Sequence, residues 1–170
     1  KMQISNRQQY SWHIDQKESF RLIGKSKTFS CKNGEHCLQI PEFWSECHAR
    51  GDTAKLISLD RGNPKGIFGL FTDFCEQRDE TVYSIMVISD QEAPPGFDEI
   101  VIPPAAWAVF DCHGKIPQSI HHGWKYLNEE WLIKYPFKHA PCPELEWYSD
   151  GDQTSDTYKA QIWIPIIEER

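Results

Sequence analysis

Near its C-terminal end the chain reads Leu145-Glu146-Trp147-Tyr148, which sets an acid and a phenol two residues apart. Side chains alternate along a β-strand, so Glu146 and Tyr148 point the same way there. A carboxylate bordered by aromatic faces suits an organic cation. The two charges pair, and each desolvated ring adds cation–π attraction on the order of 1–2 kcal/mol. The same two groups can do general acid–base work, with Glu146 activating a water and Tyr148 orienting or protonating a leaving atom. Gln161 and Trp163, also two residues apart, offer a further ring and an amide. The amide hydrogen-bonds but cannot neutralise a cation.

Strands backed by helices must carry these groups. Residues 10–15 and 19–30 read as strands. Residues 39–50 read as a helix with Pro41 in its first turn, Phe43, Trp44 and Cys47 on one side and Gly51 just past its end. Asp52 suits the cap of a short helix running to Leu59. Strands are expected at 67–73, 83–89, 97–102 and 106–113. Pro117 opens a longer helix whose apolar positions Ile120, Trp124, Leu127, Trp131 and Leu132 share one face. Strands at 145–148 and 158–167 close the chain.

The pattern runs twice. Leu70-Phe71-Thr72-Asp73 matches Trp147-Tyr148-Ser149-Asp150, Ile40-Pro41 matches Ile116-Pro117, and 83–89 matches 158–164. The expected fold is α+β, a single domain over 1–170. It has two pseudo-symmetric β-α-β-β units, about 10–92 and 97–168, with antiparallel sheets around a central ligand pocket. In the last strand Ala160, Ile162, Ile164 and Ile166 should pack on the helix, leaving Gln161 and Trp163 on the other face. By the repeat, Gly69 and Phe71 take the places of Glu146 and Tyr148, and Met86 and Ile88 those of Gln161 and Trp163. The two helix-free faces are expected to face each other around a hollow. Its candidate ligand-binding residues are Glu146, Tyr148, Gln161, Trp163, Phe71, Met86, Ile88 and Trp107.

Composition narrows the classes. A net charge of −7 argues against a nucleic-acid surface, which needs basic groups to displace counterions. No apolar run approaches the roughly 20 residues of a membrane span, and the polar residues 1–10 carry no secretory signal. A cytoplasmic location is expected. Six cysteines occur without a Cys-x-x-Cys pair. His36-Cys37 and Cys47-His48 fit no zinc spacing. A Cys31–Cys37 disulfide is conceivable, but free thiols are expected. Adjacent His121 and His122 diverge on a helix. No metal or cofactor is expected. An exposed aromatic surface for a protein partner is a third reading.

The ordered motifs resemble one family. Ile102-Pro103-Pro104-Ala105-Ala106-Trp107-Ala108-Val109-Phe110, the Trp124-x6-Trp131 helix, Leu145-Glu146-Trp147-Tyr148 and Gln161-Ile162-Trp163-Ile164-Pro165-Ile166 are similar to the second half of GyrI-like domains. Phe20-Arg21-Leu22-Ile23-Gly24-Lys25-Ser26 and Ile40-Pro41-Glu42-Phe43-Trp44 resemble the first half. The resemblance spans about 10–168 and leans toward effector domains of AraC- and MerR-type bacterial regulators. It implies a central pocket for amphipathic, often cationic aromatic compounds, with Glu146 as pocket carboxylate and Tyr148 and Trp163 as aromatic walls. Gln161 departs from the second Glu of many relatives. The resemblance further implies either a stand-alone binder or a partner helix-turn-helix DNA reader N-terminal to residue 1. Its alternative is a hydrolase of cyclopropane-containing toxins acting through Glu146 and Tyr148.

Overall fold

The computed structural model describes residues 10–168; residues 1–9, most of the stretch read for a secretory signal, lie outside them. The elements are β1 Trp12–Lys17, β2 Phe20–Ser30, α1 Glu35–Ala49, α2 Asp52–Leu59, β3 Ile67–Cys75, β4 Glu80–Ile88, β5 Asp98–Ile102, β6 Ala105–His113, α3 Gln118–Tyr126, α4 Leu132–Lys134, β7 Lys138–His139, β8 Leu145–Tyr148 and β9 Lys159–Ile167. A π-helical turn, Leu127–Trp131, joins α3 to α4. All the strands form one antiparallel sheet in the order β1-β6-β9-β8-β3-β4-β2-β5, with β7 added on β9.

The expected repeat is present. Strands β6, β9 and β8 with α3 mirror β2, β4 and β3 with α1, and β3 and β8 join the halves. Two edge strands are exchanged. β1 opens the first half but pairs with β6 of the second, and β5 opens the second half but pairs with β2 of the first. Gly69 and Glu146, counterparts in the repeat, pair directly across the β3–β8 junction, so the pseudo-twofold axis passes between them.

Three layers of side chains hold the sheet. On the helix side, Phe29, Phe43, Cys47, Leu56, Tyr83, Ile85 and Val87 pack the first half. Phe110, Ile120, Leu127, Trp131, Ala160, Ile162, Ile164 and Ile166 pack the second, so the β9 aliphatics meet the helix as alternation predicts. Gly123 lets α3 press onto the sheet, since a Cβ there would come within 2.7 Å of Cys112 Sγ and 2.9 Å of Ile162 Cδ1. On the opposite side the curled halves meet through Leu22, Phe68, Met86, Trp107, Leu145, Trp147 and Trp163.

Local chemistry moves some expected boundaries. α1 starts at Glu35, so Pro41 lies inside it rather than in its first turn. Gly34, at φ 71°, takes the left-handed conformation that launches the helix. Gly51, at φ 83°, is the cap residue of α2. Asp52 is therefore the first helical residue, and its carboxylate pairs with Arg50 at 3.1 Å. The π-helical turn widens the helix, so Leu132 leaves the buried face that Leu127 and Trp131 keep. The six cysteines are free.

Two outcomes test this packing. A Cβ on Gly24 would run into the Ile85 carbonyl oxygen on the neighbouring strand, and backbone cannot step aside. Gly24→Ala should therefore lower stability by more than about 2 kcal/mol in urea denaturation. Burial, reinforced by the charges of Asp111 and Glu146, raises the Cys112 thiol from 9.0 to about 12. The unfolded thiol ionises first, so the folded state is favoured fully below about pH 9 and progressively less as pH climbs toward 12. Urea midpoints measured across that window should decline less steeply for Cys112→Ala than for the wild type.

Candidate ligand-binding site

Each helix sends one tryptophan onto the centre of the sheet. Trp124 of α3 donates its indole N–H to Glu146 Oε2 at 2.7 Å. Trp44 of α1 donates its own to the Tyr83 hydroxyl at 3.1 Å. Tyr148 donates its hydroxyl proton to the other carboxylate oxygen, Glu146 Oε1, at 2.8 Å. The acid is thus fixed at both oxygens, from the helix and from its own strand. Among the described residues Glu146 has no ion-pair partner.

Around this carboxylate the helices stand apart and leave a groove. One compartment, about 450 Å³, is walled by Ile40, Pro41 and Trp44 of α1 and by Ile120 and His121 of α3, with Phe71, Tyr83, Glu146 and Tyr148 on its floor. The other, about 520 Å³, runs past Gly69 and Trp124 to Asn128, His139, Cys142 and Glu144. Phe71 and Glu146 border both compartments. The rings meet edge to face. Trp44 lies 5.6 Å from Tyr148 and Phe71 lies 4.9 Å from Tyr83, centroid to centroid. Phe71 is 45% exposed, so an apolar surface is available to a ligand.

Burial, and then the nearby Glu146 charge, push the Tyr148 and Tyr83 hydroxyls well above the ordinary phenol value. Both therefore remain protonated donors across the physiological range. The groove floor thus brings together one carboxylate, two phenols, two indoles and an exposed ring.

The structure divides the expected residues. Glu146, Tyr148 and Phe71 come together, and Gly69 lies directly beside Glu146. Gln161, Trp163, Met86, Ile88 and Trp107 do not share their surface. The pairing shows why: Glu146 stands opposite Ile162, and Tyr148 opposite Ala160, so the acid and phenol share the helix-side face of β9. Gln161 and Trp163 stand opposite Trp147 and Leu145 on the far face. The repeat register is also corrected. Phe71 pairs with Tyr83 as Tyr148 pairs with Ala160, which makes Met86 the counterpart of Trp163 rather than of Gln161.

The helix-free faces consequently meet without a hollow. Met86 and Trp107 are 0% exposed and Trp163 is 3% exposed, and Ile88 packs at the margin of the same layer. Trp163 donates its N–H to Gln161, and Gln161 donates to Asp111, at 2.8 and 2.9 Å. Lys17 already sits over the Trp163 ring at 4.7 Å. The central pocket lies on the helix side instead.

Sequence reasoning left out Trp44, Tyr83 and Trp124 as site residues. The signal was present: Trp44 and Trp124 follow Pro41 and Pro117 by three and seven residues, spacings that return to the same helical face. Reading both tryptophans only as core obscured their polar ends.

Comparison with curated proteins finds no match. Among solved structures, a Staphylococcus aureus MU50 protein assigned to bacterial transcription regulation is 25% identical, with TM-score 0.77 over 92% of this chain and 97% of that one. SAV2435, solved bound to tetraphenylphosphonium, is 26% identical, with TM-score 0.80 over 92% of this chain and 94% of that one. The EcmrR C-terminal domain shares the fold at 17% identity and TM-score 0.61, over 94% of this chain and 99% of that domain. The GyrI-like small molecule binding domain matches residues 11–167, almost the whole described chain, and the protein belongs to that family.

Proposed function

We propose that this chain binds amphipathic aromatic cations in the groove between α1 and α3, with Glu146 as the neutralising charge. The observation that carries the reading is a half-buried carboxylate, clamped by Trp124 and Tyr148 and without an ion-pair partner among the described residues, on the floor of an aromatic groove. A cation there supplies the missing countercharge, and the rings add stacking and cation–π attraction. Stacking and a single carboxylate require little shape matching, so several ligands of this class fit. The tetraphenylphosphonium bound to SAV2435 is of this chemical class.

In this reading the chain is a cytoplasmic ligand-sensing domain of a bacterial transcription regulator, or a drug-binding protein in its own right. Its net charge of −7 leaves DNA contact to another segment or partner. No helix among the described residues is long and apolar enough to cross a membrane.

A second reading is favoured by one contact, the 2.8 Å bond from Tyr148 to Glu146. It joins a base and an acid suited to opening a strained ring with water. Mass spectrometry of a cyclopropane-bearing substrate incubated with the protein separates hydrolysis from binding.

Calorimetric titration tests the first reading. Glu146→Gln should weaken tetraphenylphosphonium by about tenfold or more and neutral triphenylphosphine oxide by no more than about twofold. Equal losses for the two ligands would remove the carboxylate from its role. Trp124→Phe keeps an aromatic side chain, though a smaller one, and deletes the N–H that aims Glu146 Oε2. It should weaken the cation several-fold without shifting the thermal midpoint by more than a few degrees.

A further inference from the structure

We infer that the Tyr83 hydroxyl is a second polar anchor in this groove, and that its ligands carry a hydrogen-bond acceptor close to the cationic centre. The inference rests on the cation-binding reading above. Tyr83 is 2% exposed and lies on the groove floor. Its oxygen accepts the N–H of Trp44 at 3.1 Å. Among the described residues, no acceptor receives its own proton. Glu146 is close enough for its charge to hold that proton in place, but the two carboxylate oxygens take their bonds from Trp124 and Tyr148.

Other buried phenols on this side of the sheet show what is usual. Tyr148 donates to Glu146, and Tyr158 donates to the Ser149 carbonyl at 2.6 Å. Most buried donors find acceptors. Among the described residues the Trp107, Trp131 and Trp147 indoles also lack one, but they lie in packed core, whereas the Tyr83 hydroxyl borders the groove. A Phe in place of Tyr83 would remove the unmatched proton but would also strip the Trp44 N–H of its acceptor, so the oxygen is used by the fold while the proton stays available. The chain keeps the hydroxyl and makes room for it. The counterpart of Glu146 is Gly69, and any Cβ on Gly69 would collide with the Tyr83 oxygen.

This placement sets the spacing of the ligand's groups. The hydroxyl lies over Gly69 on β3, and Gly69 pairs with Glu146 on the adjacent strand β8. Neighbouring strands are about 5 Å apart. The preferred ligand therefore presents a cationic centre to Glu146 and a carbonyl, ester or ether oxygen to Tyr83, about 5 Å away. Cations without such an oxygen bind but leave the phenol unmatched.

Matched phosphonium ions test this by calorimetry. Butyl- and pentyltriphenylphosphonium lack an acceptor, whereas (3-oxobutyl)- and (4-oxopentyl)triphenylphosphonium carry a ketone at different reach. The wild type should bind at least one ketone about tenfold tighter than its hydrocarbon partner. Tyr83→Phe should erase that preference, read as the ratio of ketone to hydrocarbon affinity within the variant, so that any general change from losing the Trp44 acceptor cancels. Gly69→Ala, which displaces the hydroxyl without deleting it, should also erase the preference, and it serves if Tyr83→Phe does not fold. No ketone preference in the wild type, or one that survives in the folded variants, overturns the inference while leaving cation binding intact. Failure of the wild type to bind any of the four ions overturns the cation-binding reading, and the inference with it.

Discussion

Two indole N–H groups must find acceptors where the two half-sheets meet, and the site follows from how each is satisfied. A buried or half-buried N–H without an acceptor costs about 1–3 kcal/mol. Among the described residues the core indoles of Trp107, Trp131 and Trp147 lack one, whereas the two that border the groove are both satisfied. In the second half the acceptor is the acid Glu146, and in the first it is the phenol Tyr83. Substituting a charged acceptor for a neutral one breaks the internal symmetry at its axis. Trp44 lies against Tyr148 and Trp124 against Glu146, and the space between the helices opens onto the carboxylate.

Much of the fold could be read from the chain. The strand at 145–148 was placed to the residue, and the aliphatic alternation of β9 identified its helix-facing side correctly. The repeat and the antiparallel architecture followed from Ile40-Pro41 against Ile116-Pro117 and from Phe71 against Tyr148, but the pocket was expected on the helix-free side. What failed was the relation between adjacent strands. Alternation says which residues of one strand share a face, but it does not say which face of the next strand aligns with them. That information lies in the register, and β8 pairs so that Glu146 meets Ile162 rather than Gln161. That one-position difference puts Glu146 and Tyr148 on the helix side, while Trp163, Met86 and Trp107 stay on the helix-free face, which is filled as core.

The same error explains why the filled gap does not remove the binding site. On the helix-free faces Trp107, Trp163, Phe68 and Phe20 interlock at centroid distances of 5.0–6.4 Å. Dense aromatic packing there makes the curled sheet stiff. The helix side is populated by smaller groups at its centre, Gly69 and Ala160, and these leave the recess above Glu146. The sites of the large and small side chains, rather than hydrophobicity alone, decide which side of the sheet is open.

The exchanged edge strands carry a separate consequence. Because β1 completes the sheet of the second half and β5 that of the first, neither duplicate owns all the strands it needs. The platform beneath the ligand is thus sewn together from both ends, and the halves cannot rock apart as independent leaves. In the proposed binding reading, guests of different girth are accommodated from above, by α1, α3 and their side chains, over a base shared by both halves.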